Sequence, residues 1–155
     1  MLFRSKWISY LTEREYTAGS FNGPAFMQTV RKLTLEQAVD ADTHDGYTCW
    51  AIVLHDAFFK WKVLEFFHPG THQWPYEKKS FPAIPEATDE NWQATISFSD
   101  EIHGAYLALL QRLTSEDVNR EIVEWECSVG QALAWIATHD SYHAAQIRNM
   151  GVKGL

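Results

Sequence analysis

Between Tyr47 and Phe67 the chain predicts one long, unusually apolar helix. Tyr47, Trp50, Ala51, Leu54, Phe58 and Trp61 fall on one stripe at helical spacing. Ile52, Phe59, Val63, Phe66 and Phe67 occupy other sides of the same helix. A helix apolar over most of its circumference has to be central in a bundle or buried in an oligomer interface. That requirement excludes an open, solvated arrangement and leaves the other helices or a second copy to form a jacket around this one. His55 lies in the middle of the segment, beside Ala51 and Leu54.

The jacket can be read from the rest of the chain. Phe3 to Tyr16 predicts a first helix, with Phe3, Trp7, Tyr10 and Leu11 on one face. The run Ala18 to Gly23 breaks it. Pro24 suits a first helical position, followed by Phe26, Val30 and Leu33 at helical spacing, as a continuation or a separate piece. Thr34 with Gln37 three residues on has the capping-box pattern and predicts a short helical turn through Val39. Asp40 to Gly46 reads as a polar loop. His68 to Ala87 holds four prolines, Pro69, Pro75, Pro82 and Pro85, and reads as a long irregular connection. Connections of that length in a compact domain are functional or cross over the fold. Thr88-Asp89-Glu90 starts a third main helix that runs to about Leu113, with Ile96, Tyr106, Leu109, Leu110 and Leu113 as its buried stripe. Thr114 to Val118 is a short capped turn, and Asn119 to Ser128 leads into the last helix, with a short extended piece allowed at Arg120–Cys127. The expectation is one all-α domain over residues 1–155: a four-helix bundle with a long crossing connection between the second and third main helices.

The last helix carries the chemistry. His139 and His143 are four residues apart in a stretch free of Gly and Pro from Gln131 to Met150. That step brings two imidazoles to nearly one direction, one turn apart. Leu133, Ile136 and Ile147 share their face, so the rings point into the protein, where a metal or a hydrogen-bond network has to satisfy them, the alternative being two ordinary histidines on a half-exposed helix. A bare H-x-x-x-H lacks the glutamate of H-E-x-x-H. A faint internal echo brings in His55: Leu33-Thr34-Leu35-Glu36 precedes the helix with His55-Asp56, as Leu113-Thr114-Ser115-Glu116 precedes that with His139-Asp140. Three neutral imidazoles from two helices suit a divalent transition ion such as Zn²⁺ or Ni²⁺ and leave a coordination position open.

Other residues carry less. Asp56 and Asp140 directly follow the histidines and point about 100° away, which suggests surface, capping or dimer-contact carboxylates. Orienting a histidine from another helix is their alternative role. Gln146, one turn past His143, and His103, on the third main helix, are candidate pocket residues, Gln146 equally readable as a packed amide and His103 as a surface histidine. Tyr47 and Tyr142 read as packing aromatics, and His44, His68 and His72 as solvated loop residues. Cys49, well over a turn from His55, is not counted as a ligand. Two cysteines make no disulfide framework and fit reduced thiols in a cytosolic protein. No secretory leader or membrane-spanning run is apparent. A formal charge of -7, with no basic patch, argues against a nucleic-acid surface.

The sequence resembles the DinB/YfiT-like superfamily. The resemblance is carried by Asn22-Gly23-Pro24-Ala25-Phe26, Thr34-Leu35-Glu36-Gln37-Ala38, Tyr47 through His55, Trp92, and His139-Asp140-Ser141-Tyr142-His143-Ala144-Ala145-Gln146-Ile147. It implies a four-helix bundle with a crossing connection and a metal site formed by His55, His139 and His143. Members include S-transferases that use low-molecular-weight thiols and proteins described as metal-dependent hydrolases, many of them homodimers. Two departures leave the ligands untouched: Ala145 stands where glycine usually precedes the glutamine, and Asn22 separates Phe21 from the Gly-Pro element. The implied function is metal-dependent hydrolysis or thiol S-transfer on a small, unidentified substrate, with no catalytic acid or base assigned. The alternative is a non-catalytic, metal-stabilised bundle acting through dimerisation or partner binding.

Overall fold

The computed structural model describes residues 3–155, with side chains from Lys6 onward. Phe3, placed on the expected face of the first helix, therefore lies outside the described side chains. Four long helices form the body: α1 (Phe3–Tyr16), α4 (Cys49–Phe67), α5 (Asp89–Leu110) and α6 (Val129–Asn149). Two short ones, α2 (Phe26–Val30) and α3 (Leu35–Val39), separate α1 from α4. The all-α architecture expected from the sequence is the one found.

Local chemistry sets most of the boundaries. Thr34 accepts from the Gln37 amide while the Gln37 side chain returns to the Thr34 amide, closing the capping box that starts α3. Thr48, Thr88 and Ser128 cap α4, α5 and α6 in the same way, each accepting from an amide three residues on. Pro24 is not the first helical residue: Ala25 is the N-cap of α2, so the proline lies just outside it. α5 ends at Leu110 rather than Leu113. After α6 the chain turns at Gly151, whose φ of +89° suits glycine and where a Cβ would lie 2.8 Å from the His44 ring.

α4 is the buried axis that its composition requires. Trp50, Ile52, Val53, Leu54, Val63 and Leu64, spread around the helix, are all fully or nearly fully buried. It packs against α5 and α6, while α1 packs against both of these from the other side. α1, however, turns Trp7, Tyr10 and Leu11 outward, at 61%, 52% and 40% exposure. Its inner face carries Thr12, Glu15 and Tyr16 instead, because the Tyr16 hydroxyl finds Ser99 on α5 at 2.9 Å. The extended piece allowed at 120–127 exists as a two-residue ladder, β1 (Glu121–Ile122) pairing antiparallel with β2 (Cys127–Ser128). A 3₁₀ turn between them places Trp125 beside α4 and α6.

The connection from 68 to 88 crosses the bundle and is pinned by indole donors. Trp61 donates to the His72 carbonyl at 2.8 Å, and Trp74 to the Glu77 carbonyl at 2.9 Å. This pinning brings Ser80 and Phe81 over the middle of α4. None of the described helices is long and apolar enough to cross a membrane.

Candidate metal centre

α4 delivers His55, and α6 delivers His139 and His143 one helical turn apart. Their Nε2 atoms converge: His139 Nε2 lies 3.2 Å from that of His55 and 2.9 Å from that of His143. His55 and His143 are 9% and 4% exposed, while the His139 side chain is more open at 24%.

The other ring nitrogens explain why these edges face one another. His55 Nδ1 is 2.7 Å from Ser80 Oγ and 3.1 Å from the Ser80 carbonyl. His143 Nδ1 is 2.7 Å from Gln146 Oε1. A carbonyl oxygen can only accept, so each Nδ1 carries the proton and each Nε2 presents a lone pair. His139 Nδ1 faces Asp56 Oδ1 at 3.6 Å, which favours the same tautomer. Two lone pairs, on His55 and His143, thus converge on His139 Nε2; a proton there satisfies one of them, whereas a cation between the rings satisfies all three. Nitrogens about 2.0–2.1 Å from a tetrahedral ion are about 3.3 Å apart, close to the separations observed. The donor set therefore fits a divalent transition ion, and among the described residues these three form the group able to hold one.

Both rings at the buried edge are poised to remain neutral. Burial, reinforced by the neighbouring His139 imidazole, lowers His55 to about 4. Burial followed by His139 does the same to His143, also to about 4. Aromatic side chains fix the flanks: Phe81 stacks on His55 at 4.1 Å, Tyr47 stacks on Phe81 at 4.5 Å, and Phe59 stands edge-on to both His55 and His139.

Beneath the histidines lies a polar core that the sequence reading misplaced. Asp56 and Asp140 are not surface, capping or dimer-contact carboxylates; both are fully buried. A 100° step away from His55 still faces protein, because α4 leaves only its C-terminal end and a strip through Ala51, Phe59, Lys62 and Phe66 partly exposed. Lys60, also fully buried, bridges the two at 2.7 Å to Asp56 and 2.6 Å to Asp140, with its ammonium 4.1 Å from the Tyr16 ring centre. Burial pushes Lys60 down, but the two carboxylates outweigh it and hold it above its ordinary value. Burial also opposes ionisation of Asp56, yet Lys60 and His139 keep it well below the usual carboxylate range. Asp140 is raised, by burial first and then by the charge on Asp56. Asp56 thus touches Lys60 with one oxygen and faces His139 with the other. The signal for this group was a charged i, i+4 pair, Asp56 and Lys60, in the middle of a mostly apolar helix.

Gln146 does reach the site, between the His143 ring and Asp45, to which its amide donates at 2.7 Å. His103 does not join the cluster. It is 4% exposed, stacks on Tyr16 at 3.6 Å, and burial drives its pKa well down. Tyr142 is not a packing residue but 64% exposed, and His72 is half-buried rather than solvated. His44 and His68 are exposed as expected. Cys49 contacts Met150 and has its thiol pushed up to about 12, chiefly by burial. It is separate from the histidines.

The sequence model of the DinB superfamily matches residues 21–147, a span that includes all three histidines. The chain belongs to the DinB superfamily. No curated protein and no solved structure gives a significant match. The DinB match and the histidine geometry therefore stand together as the basis for function.

Proposed function

We propose that this DinB protein is a metal-dependent enzyme in which His55, His139 and His143 hold one divalent transition ion, Zn²⁺ or Ni²⁺ by donor preference. The reaction class is hydrolysis or transfer to a low-molecular-weight thiol. The observation that supports this reading is the convergence of three Nε2 atoms, with the Nδ1 atoms of His55 and His143 bonded to oxygens and that of His139 facing Asp56.

In this reading Ser80, Gln146 and Asp56 orient the rings, and Phe59 and Phe81 shield their flanks. A bound ion of this kind acidifies a water or thiol and polarises a carbonyl. The protein supplies neutral imidazoles at neutral pH and leaves room beside His139, its most exposed ligand. A structural ion would call for a closed shell. Among the described residues no fourth His, Cys, Asp or Glu completes the group, which favours the catalytic reading over a metal-stabilised scaffold.

The test is metal analysis of the purified protein after loading with Zn²⁺ or Ni²⁺, followed by a screen of esters, amides and small thiols. Wild type should retain close to one ion per chain, and His139→Ala should lose it. A folded wild-type protein that takes up no ion refutes the metal reading. A loaded protein inert to every substrate class refutes the catalytic one.

A further inference from the structure

We propose that the apolar cleft beside His139 is the subsite for an aromatic or branched-alkyl substituent of the substrate, an inference that rests on the metal-centre reading above. The cleft has a volume of about 250 Å³ and is lined by Phe59, Trp125, Ala132, Trp135, Ile136 and His139. All of these except His139 present only hydrocarbon or indole surface. The imidazole at its edge belongs to the same ring whose Nε2 faces the other two histidines.

Continuity between cleft and centre comes from two features. On α6, Ala132, Ile136, His139 and His143 follow one another at steps of four, three and four, so the cleft wall runs directly into the ligand pair. On α4, the Phe59 ring is shared: it lies 5.4 Å from His139, 5.0 Å from His55 and 5.6 Å from Trp125. The cleft and the histidine cluster therefore share His139 and border the same Phe59 ring. A second cleft, of about 330 Å³ between Ile8, Leu110 and Leu133, contains no histidine in its lining and is not continuous with the centre in this way.

Size and polarity define the occupant. An apolar cavity of about 150 Å³ accepts benzene, so this cleft takes a substituted phenyl ring or a branched chain of similar bulk. A charged substituent would be stripped of water without a partner. Ala132 is the one small side chain in the wall, and its size keeps the cleft open.

The experiment compares acetohydroxamate with benzohydroxamate on Zn²⁺-loaded protein by calorimetry, and follows fluorobenzene by ¹⁹F NMR on metal-free protein. Wild type should bind benzohydroxamate at least about tenfold more tightly than acetohydroxamate. Trp125→Ala, which removes a wall, and Ala132→Phe, which fills the space, should each bring that ratio close to one and abolish saturable broadening of fluorobenzene. Should Ala132→Phe fail to fold, Trp125→Ala with the fluorobenzene titration carries the test. Equal affinities in wild type, or a phenyl advantage untouched by either variant, overturn the proposal while acetohydroxamate binding keeps the metal centre standing. A protein that loads no ion fails the metal reading alone, and fluorobenzene then decides the cleft: saturable binding lost in the variants supports it, and none overturns it. Exclusion of fluorobenzene by a dimer that covers Trp135 also overturns it.

Discussion

Replacing Lys60 by methionine should be among the most damaging single changes in this protein, although Lys60 touches no proposed ligand. The ammonium lies 2.7 Å from Asp56 and 2.6 Å from Asp140, and all three side chains are fully buried. Methionine matches the length of the stem but leaves two carboxylates facing each other without a counter-charge. Breaking a buried ion pair by removing one partner costs about 3–5 kcal/mol. At about 2–4 °C per kcal/mol for a chain of this size, the melting temperature at pH 7 should fall by about 6–20 °C. The deficit should also depend on pH. Without Lys60 the carboxylates have folded pKa values above the unfolded value near 4, so the stability they contribute is intact below that pH and is lost as pH rises. Thermal melts of Lys60→Met and wild type from pH 4.5 to 8 should therefore diverge upward through the range. A variant within about 1 kcal/mol of wild type at pH 7, with no pH-dependent gap, would refute the triad as described.

Three further outcomes follow from the same geometry. Gln146→Leu removes the acceptor from His143 Nδ1 and should weaken ion binding about 10–100-fold in chelator competition, whereas Gln146→Glu should largely preserve it. In the metal-free protein, His55 and His143 titrate near 4 when folded and about 6.5 when unfolded. Their stabilising effect is complete above pH 6.5 and falls as the unfolded chain takes up protons first, by at most about 1.4 kcal/mol per pH unit for each ring. Denaturant titrations between pH 4 and 7.5 check this, and a flat profile contradicts it. Cys49, fully buried with a thiol pushed up to about 12, should resist iodoacetamide at pH 8 until the protein unfolds, as peptide mapping would reveal.

Where local rules govern, the sequence was readable. Thr34 and Gln37 lie in a reciprocal cap, α4 is buried around most of its circumference, and the i, i+4 histidines meet a third from the other half of the echo. The echo also extends further than expected, because Asp56 and Asp140, each following a histidine, converge on Lys60. What stayed hidden depended on non-local geometry. Nothing in the 68–87 segment announces that Ser80 and Phe81 would land on His55, since their placement depends on indoles of Trp61 and Trp74 fastening the loop elsewhere. Nothing local in α1 says which face turns inward: Trp7, Tyr10 and Leu11 share the outer side, while the inner side carries Tyr16, which reaches Ser99 on α5. His103 shows the converse: its place on the third main helix suggested pocket chemistry, but the bundle closes around it.

Because His55 is gripped from outside its own helix, the crossing segment would be thermodynamically linked to the ion proposed for the three histidines. Whatever steadies Ser80 and Phe81 would tighten the grip on such a cation, and the cation would in turn hold that segment down by the same free energy. A protease offered the loaded and empty protein should therefore distinguish them at this stretch of backbone, far from either terminus.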